Sequence, residues 1–237
     1  MTTPADNVEE SRIRSVYARR GVRARDSWFD PAHCLMLQER ERRVLALLTR
    51  LGMEQLQDAR ILEIGCGTGQ WLRDFVKWGA VADHIVGVDL LPDRIDTARR
   101  LCAPGTTLLC SSATRIDLPS RAFDIVLQST VFTSILDPAM RQAVAAEMRR
   151  LVRPDGLILW YDYYVNNPSN PDVRRVSKNE LRALFPDCDV ALERVTLAPP
   201  LARAVAPISR LAFELLASIP WLRTHYLAAI RPLAPRQ

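Results

Sequence analysis

Glu63, Gly65, Gly67 and Gly69 stand at alternate positions, and Asp89 follows 20 residues after the last of them. These residue types, at this spacing, suit the handling of a nucleoside cofactor. Glycine reaches positive φ without steric cost and lets a backbone pass close to a ligand that any Cβ would hold away. The run before the glycines, Arg60–Ile64, is aliphatic in the manner of a strand covered on both faces. The run after them, Trp71–Trp78, reads as a helix, so the glycines make a strand-to-helix turn. Such a turn directs free N–H groups and the positive end of a helix dipole into the crevice at a sheet's carboxyl edge. His84–Asp89 is a second strand ending in an acid, and in doubly wound folds that acid accepts hydrogen bonds from ribose hydroxyls.

The spacing also separates two cofactor classes. A dinucleotide loop reads G-x-G-x-x-G, its third glycine admitting close helix–strand packing beneath a pyrophosphate. Counted from Gly65 the sixth position is Gln70, and counted from Gly67 it is Leu72. A NAD(P)-dependent oxidoreductase is therefore the weaker alternative. What stands here is E-x-G-x-G-x-G, and a carboxylate two positions before the first glycine suits a cationic ligand. The decamer ILEIGCGTGQ resembles the first motif of the class I S-adenosylmethionine-dependent methyltransferases. That resemblance implies an α/β fold, a doubly wound Rossmann-like seven-stranded sheet with the last strand antiparallel and helices on both faces. It implies S-adenosylmethionine as cofactor and S-adenosylhomocysteine as product. Glu63, Gly65, Cys66, Gly67 and Gly69 would form the loop around it, with Asp89 and Leu90 at the ribose.

Further motifs extend the resemblance and mark its departures. Many members read G-D-A where this chain has Ser111-Ser112-Ala113, and use the aspartate to hold the adenine amino group. Ser112 takes that place here, flanked by Ala113 and Thr114. Phe123-Asp124-Ile125-Val126 matches the family's F-D-x-V strand, and Gln128 and Ser129 follow on the rim where the methyl donor sits. Gln128–Val131 lacks the D/N-P-P-Y/F/W motif of amino-methylating DNA enzymes, so no nucleic acid is expected. Phe132-Thr133-Ser134 stands where many small-molecule relatives carry a histidine. The implied activity is methylation at oxygen or nitrogen of a small molecule: a sugar, glycolipid or secondary metabolite. A lipid-linked acceptor or a peripheral membrane contact is compatible with it. Candidate bases are Asp162, ending the fifth strand Leu157–Tyr163, and His225, beside the last strand, with His33 as a third. Tyr17, Tyr163 and Ser129 are candidates for orienting substrate. A partner protein that keeps the fold and has lost catalysis is the other alternative, motivated by Ser112 and the replaced histidine.

The remaining chain supplies the frame. Its 237 residues, 48 % apolar and 25 % charged, fit one α/β domain. That domain divides into a helical lid over 1–52, a cofactor-binding core over 53–198, a helical insertion over 199–222, and a last strand with tail over 223–237. Residues 1–10 are expected to be disordered. The arginine-rich segment Ser11–Arg25 is either a solvated helix and loop or a lid bringing Tyr17 and Arg20 to the cofactor's ribose or carboxylate. Helices are expected at Leu35–Leu51, Asp93–Leu101, Pro138–Val152 and Asn179–Phe185. Strands are expected at Thr106–Cys110, Phe123–Gln128, Cys188–Leu197 and Tyr226–Arg231, with a turn at Arg153–Gly156. The insertion would cap the substrate, touch a membrane through Arg203, Arg210 and Arg223, or pack on the sheet. Five dispersed cysteines and three histidines argue against zinc and disulfides and point to a reducing cytoplasm. No signal-type apolar segment opens the chain, and no apolar run nears the ~20 residues of a membrane span.

Overall fold

The structure is a computed structural model that describes residues 4–19, 27–167 and 170–233. Strands β1 (Ile61–Ile64), β2 (Ile85–Asp89), β3 (Thr107–Cys110), β4 (Phe123–Ser129), β5 (Val152–Tyr163), β6 (Cys188–Leu197) and β7 (Arg223–Pro232) form one sheet. Their order is β3-β2-β1-β4-β5-β7-β6, the fold class expected from the sequence. The first five are parallel, and β7 runs antiparallel between β5 and β6. The chain runs outward from β1 to β3 and then reverses once, returning past β1 to β4. That reversal leaves a crevice at the carboxyl ends of β1 and β4.

The central strands are aliphatic because helices cover both faces. On one face Leu62, Ile64, Val126, Ile158 and Trp160 pack under α5 (Pro138–Leu151), whose Met140, Val144 and Met148 are core residues as their helical spacing predicts. On the other face Ile61, Ile125, Leu127 and Leu159 meet α2 (Pro31–Arg50) and α3 (Gln70–Lys77) through Val44, Leu48, Leu72 and Phe75. Helix α4 (Pro92–Leu101) joins this layer through Ile95. Asp30 caps α2 by accepting from His33 N–H, and Ser177 caps α6 (Lys178–Leu184) by accepting from Glu180 N–H, each satisfying an orphan donor of a first turn.

Three expectations need correction. Residues 4–10 are not disordered: they open α1 (Pro4–Arg19), which is anchored by its buried Ile13 and Val16. The turn at Arg153–Gly156 does not precede a strand. It bulges out of one, because the ladder steps from Phe123↔Val152 to Ile125↔Leu157. The insertion, α7 (Pro199–Val205) and α8 (Arg210–Ser218), builds a small third core with the start of α2 through Ala32, Leu197, Ala202 and Phe213. Arg223 is no surface cation there. It is buried and donates to the carbonyls of Ala217, Ser218 and Arg194, closing the end of α8.

Arg141 on α5, fully buried, ties three segments together. It donates to Ile135 O (2.7 Å) and Arg174 O (3.0 Å) and pairs with Glu180. Arg141→Ala would leave the Ile135 carbonyl unpaired in the interior and cut the links to Arg174 and Glu180. Its unfolding free energy in urea is expected to fall by about 3–5 kcal/mol; a loss below about 1 kcal/mol would mean that water reaches the cluster.

Candidate active site

A cavity of about 160 Å³ opens at the crevice, lined by the glycine loop, the end of β2, the rim after β4 and one face of α1. Asp89 organises its floor. Its Oδ2 accepts Gly67 N–H (2.8 Å) and its Oδ1 accepts Leu91 N–H (2.9 Å), so one carboxylate fastens two turns. Burial raises its pKa above the ordinary aspartate range, against the pull of those two N–H donors. Each oxygen still has a lone pair to offer a hydroxyl from the cavity side.

The glycines are placed by sterics. Gly65, Gly67 and Gly69 all have positive φ, at 72°, 54° and 77°. A Cβ on Gly65 would lie 2.3 Å from Val131 Cγ2, and one on Gly69 would lie 2.4 Å from Cys102 Sγ. A Cβ on Gly67 would meet only Arg94 Nη1, at 3.4 Å. Gly65 and Gly67 face the cavity, while Gly69 is packed against α4. Cys66 is buried, and burial pushes its thiol far above the usual range, as befits a small filler.

Glu63 lies off the cavity wall. It shares the α2–α3 face of the sheet with Ile61 and Leu127, and its Oε2 has no hydrogen-bond partner. Burial holds its carboxyl well above the ordinary glutamate range, with Arg40 opposing. Leu90, Ala113, Ser129 and Tyr17 do line the cavity. Ser112, Thr114 and Gln128 do not. The Ser112 hydroxyl is engaged with Thr114 N–H and the Thr114 hydroxyl. The Gln128 amide is wholly buried, its Oε1 accepting Val131 N–H and its Nε2 donating to Tyr161 O. Arg20 falls outside the described residues.

The structure separates the two candidate bases. Tyr163 pairs with His225 and Asp162 with Tyr226 across the antiparallel ladder, and side chains alternate faces along a strand. Asp162 and His225 therefore project from opposite faces, and neither lines the cavity. Asp162 accepts from Thr133 Oγ1 (2.7 Å), Thr133 N–H (3.2 Å) and Tyr163 N–H (2.8 Å), bracing the rim. Burial pushes its carboxyl up to about 6 even so. His225 is sandwiched between the rings of Tyr161 (4.7 Å) and Tyr163 (3.8 Å), and burial lowers its pKa to about 3. That nitrogen is too weak a base to draw a proton from a hydroxyl. The Tyr163 ring faces His225 on that same side of the sheet.

The sequence placed Tyr17 in a possible lid, and missed Ile13 beside it and one cation. Ile13 and Tyr17 of α1 cover the cavity, with the Tyr17 hydroxyl 3.1 Å from Ser134 Oγ. Arg94, in the first turn of α4, lies over the Tyr17 ring at 4.7 Å and beside Gly67. Its signal was positional: it stands one helical turn past the strand-end acid. Thr130 also lines the cavity and holds φ at 56°, rare for a β-branched residue, with its N–H donating to Tyr161 O (2.8 Å). Backbone strain of that kind gathers at functional rims. Among the described residues, no cluster of three or more His, Cys, Asp or Glu could hold a metal.

A family model described as a methyltransferase domain matches residues 61–156. The chain is 30% identical over 112 residues to the tRNA N(3)-cytidine methyltransferase METTL2 of Gallus gallus, covering 44% of this chain and 30% of that protein. It is 26% identical over 168 residues to the malonyl-[acyl-carrier protein] O-methyltransferase of Laribacter hongkongensis, covering 67% and 52%. It spans about half or less of the length of these relatives. The crystal structure of Burkholderia thailandensis 1,6-didemethyltoxoflavin-N1-methyltransferase, with S-adenosylhomocysteine bound, superposes with a TM-score of 0.62 at 18% identity over 99% of this chain and 92% of that one.

Two substitutions test this geometry. Gly65→Ala is expected to abolish S-adenosylhomocysteine binding by calorimetry, and Val131→Ala in the same chain should restore part of it by removing the clash. Asp162 makes a pH test. Its folded pKa, about 6, exceeds the unfolded value near 3.8. The folded state therefore holds the proton longer, and its contribution to stability is full below pH ~4 and lost as pH rises through about 6. Urea unfolding at pH 4 and pH 7 should show this loss in the parent and not in Asp162→Asn; parallel pH profiles would remove the assignment.

Proposed function

We propose that this chain, a class I S-adenosylmethionine-dependent methyltransferase, transfers the methyl group to a small-molecule acceptor whose oxygen or nitrogen is already nucleophilic when it arrives. The family and its cofactor rest on the matched domain and on the relatives. The acceptor class is our reading, and one observation carries it: among the described residues the cavity wall holds hydroxyls, apolar groups and Arg94 but no histidine, and its one carboxylate, Asp89, is occupied by two backbone N–H groups.

The cofactor fits the residues present. Asp89 offers lone pairs where a ribose would lie, and Gly65 leaves the space that a Cβ would fill. S-adenosylmethionine, when bound, supplies a methyl already activated on a sulfonium. The chain's own part is then alignment and exclusion of water. Asp89 and the glycine loop would hold the nucleoside, with Leu90 and Ala113 along the base. Tyr17 and Ile13 would roof the site, and Ser129 and Thr130 would form the rim facing the acceptor. Asp162 acts at one remove, as a positioning group that braces Thr133. An amine, carboxylate or acidic phenol needs no base from such a wall, whereas a sugar hydroxyl does. The malonyl-[acyl-carrier protein] relative is named for methyl transfer to oxygen and the toxoflavin relative for transfer to nitrogen, which supports this range.

Titration with S-adenosylhomocysteine, with NADH as control, is expected to show binding of the first alone. Asp89→Ala should weaken it roughly 10- to 100-fold, the cost of charged hydrogen bonds. With labelled methyl donor and a panel of acceptors, activity should follow the ionisation of the acceptor and be unmoved in pH profile by His225→Gln. A profile that loses its acidic limb in that variant would make His225 the base.

A further inference from the structure

Helix α8 turns an apolar face to solvent. Phe213 and Ala217 point inward and are buried, while Leu211 and Leu215, on the opposite side at helical spacing, are 69% and 61% exposed. Ile208, just before the helix, continues that face at 84%, and Trp221, just after it, is 78% exposed. Leu201 on α7 is exposed as well. Arg203 and Arg210 flank these side chains, both exposed and without a carboxylate partner among the described residues. From residue 198 to residue 223 the only acid is Glu214, and Arg42 on α2 holds it at 2.9 Å. Within residues 198–223 the surface is therefore apolar, aromatic and cationic, with its one acid already paired.

We infer that this face is a docking surface for an anionic phospholipid bilayer. Amphipathic elements that lie in a membrane interface pair buried Leu and Trp with basic side chains at headgroup level. Self-association fits less well. A two-fold contact sets a patch against its own copy, which would bring Arg203 and Arg210 together with no free acid to pair with. The sheet register gives the surface a use. Leu197 pairs with Arg223 and Tyr163 with His225, so both ends of the insertion sit at the carboxyl edge of the sheet. That is the edge at which the cavity opens. A bilayer seated on α8 would lie beside the site rather than behind the sheet.

The test is co-sedimentation of the full chain with vesicles of phosphatidylcholine alone and of phosphatidylcholine mixed with phosphatidylglycerol. Binding is expected only to the anionic vesicles, and is expected to weaken with added salt. Leu211→Asp with Leu215→Asp should abolish it. Arg203→Gln with Arg210→Gln should lower the affinity roughly 10- to 30-fold. Both variants should bind S-adenosylhomocysteine as the parent does, which separates loss of docking from loss of fold or of cofactor site. Equal binding to neutral vesicles, or anionic binding unchanged in both double variants, would overturn the inference. So would a dimer in sedimentation equilibrium that Leu211→Asp with Leu215→Asp dissociates, since the face would then be covered by a second copy.

Discussion

Two backbone N–H groups converge on one buried carboxylate, and the site depends on that convergence. Asp89 ends β2, yet it fastens Gly67 of the loop after β1 and Leu91 of the turn into α4. Burying an acid is costly unless hydrogen bonds replace its water. Here the loop itself supplies them, so the loop's conformation and the acid's ionised form support one another. The arrangement also requires glycine. Gly67 holds φ at 54° to present its N–H, and Gly65 lies flush against Val131 across the crevice. The sheet order makes this possible, because β1 and β2 are neighbours in register and end at the same level.

The same register explains why two titratable groups close together in sequence pattern do different work. Alternation along β5 sends Asp162 to the α5 side and Tyr161 and Tyr163 to the α2 side. On the α5 side Asp162 receives Thr133 and fixes the short helical turn of the rim. On the α2 side Tyr161 bonds to the Thr196 hydroxyl and stacks on His225, while Glu39 receives the backbone N–H groups of Thr196 and Leu197. Both sets are satisfied, buried networks of the kind that specify a unique packing. A proton acceptor for catalysis would need one of them to face the cavity. Neither does.

This division sets how much was legible beforehand. The glycine spacing, the strand-end acid and the aliphatic runs are local signals, and they carried the strand-to-helix turn after β1 and helices α2 to α6 to within a few residues at either end, while the sheet's class came from the family resemblance. Facing is not local. Whether Asp162 or His225 reaches the crevice depends on pairing between strands that are more than 60 residues apart, and nothing in either strand alone reveals it. The roof was legible only in part, for a different reason. Arg14 donates to Leu90 O (2.7 Å), Arg12 to Ser134 O (2.6 Å), and Glu9 receives Leu136 N–H (2.5 Å). These partners are backbone groups, which any rim sequence presents. Residues 1–10 therefore read as disordered, and a lid over Ser11–Arg25 stood as one of two readings, although Glu9 and the arginines help Ile13 and Val16 to dock the helix.

The docked helix bears on the chemistry as well as on the packing. A wall without a free base can contribute little by proton transfer, so its influence must come from holding reactants in line and from removing water. Both require a closed roof. Ile13 and Tyr17 supply apolar cover, and Arg94 over the Tyr17 ring links that cover to the loop beside Gly67. The helix, the arginine and the strand-end acid are therefore linked through one residue: Asp89 fastens Gly67, and Arg94 beside Gly67 covers the Tyr17 ring of α1.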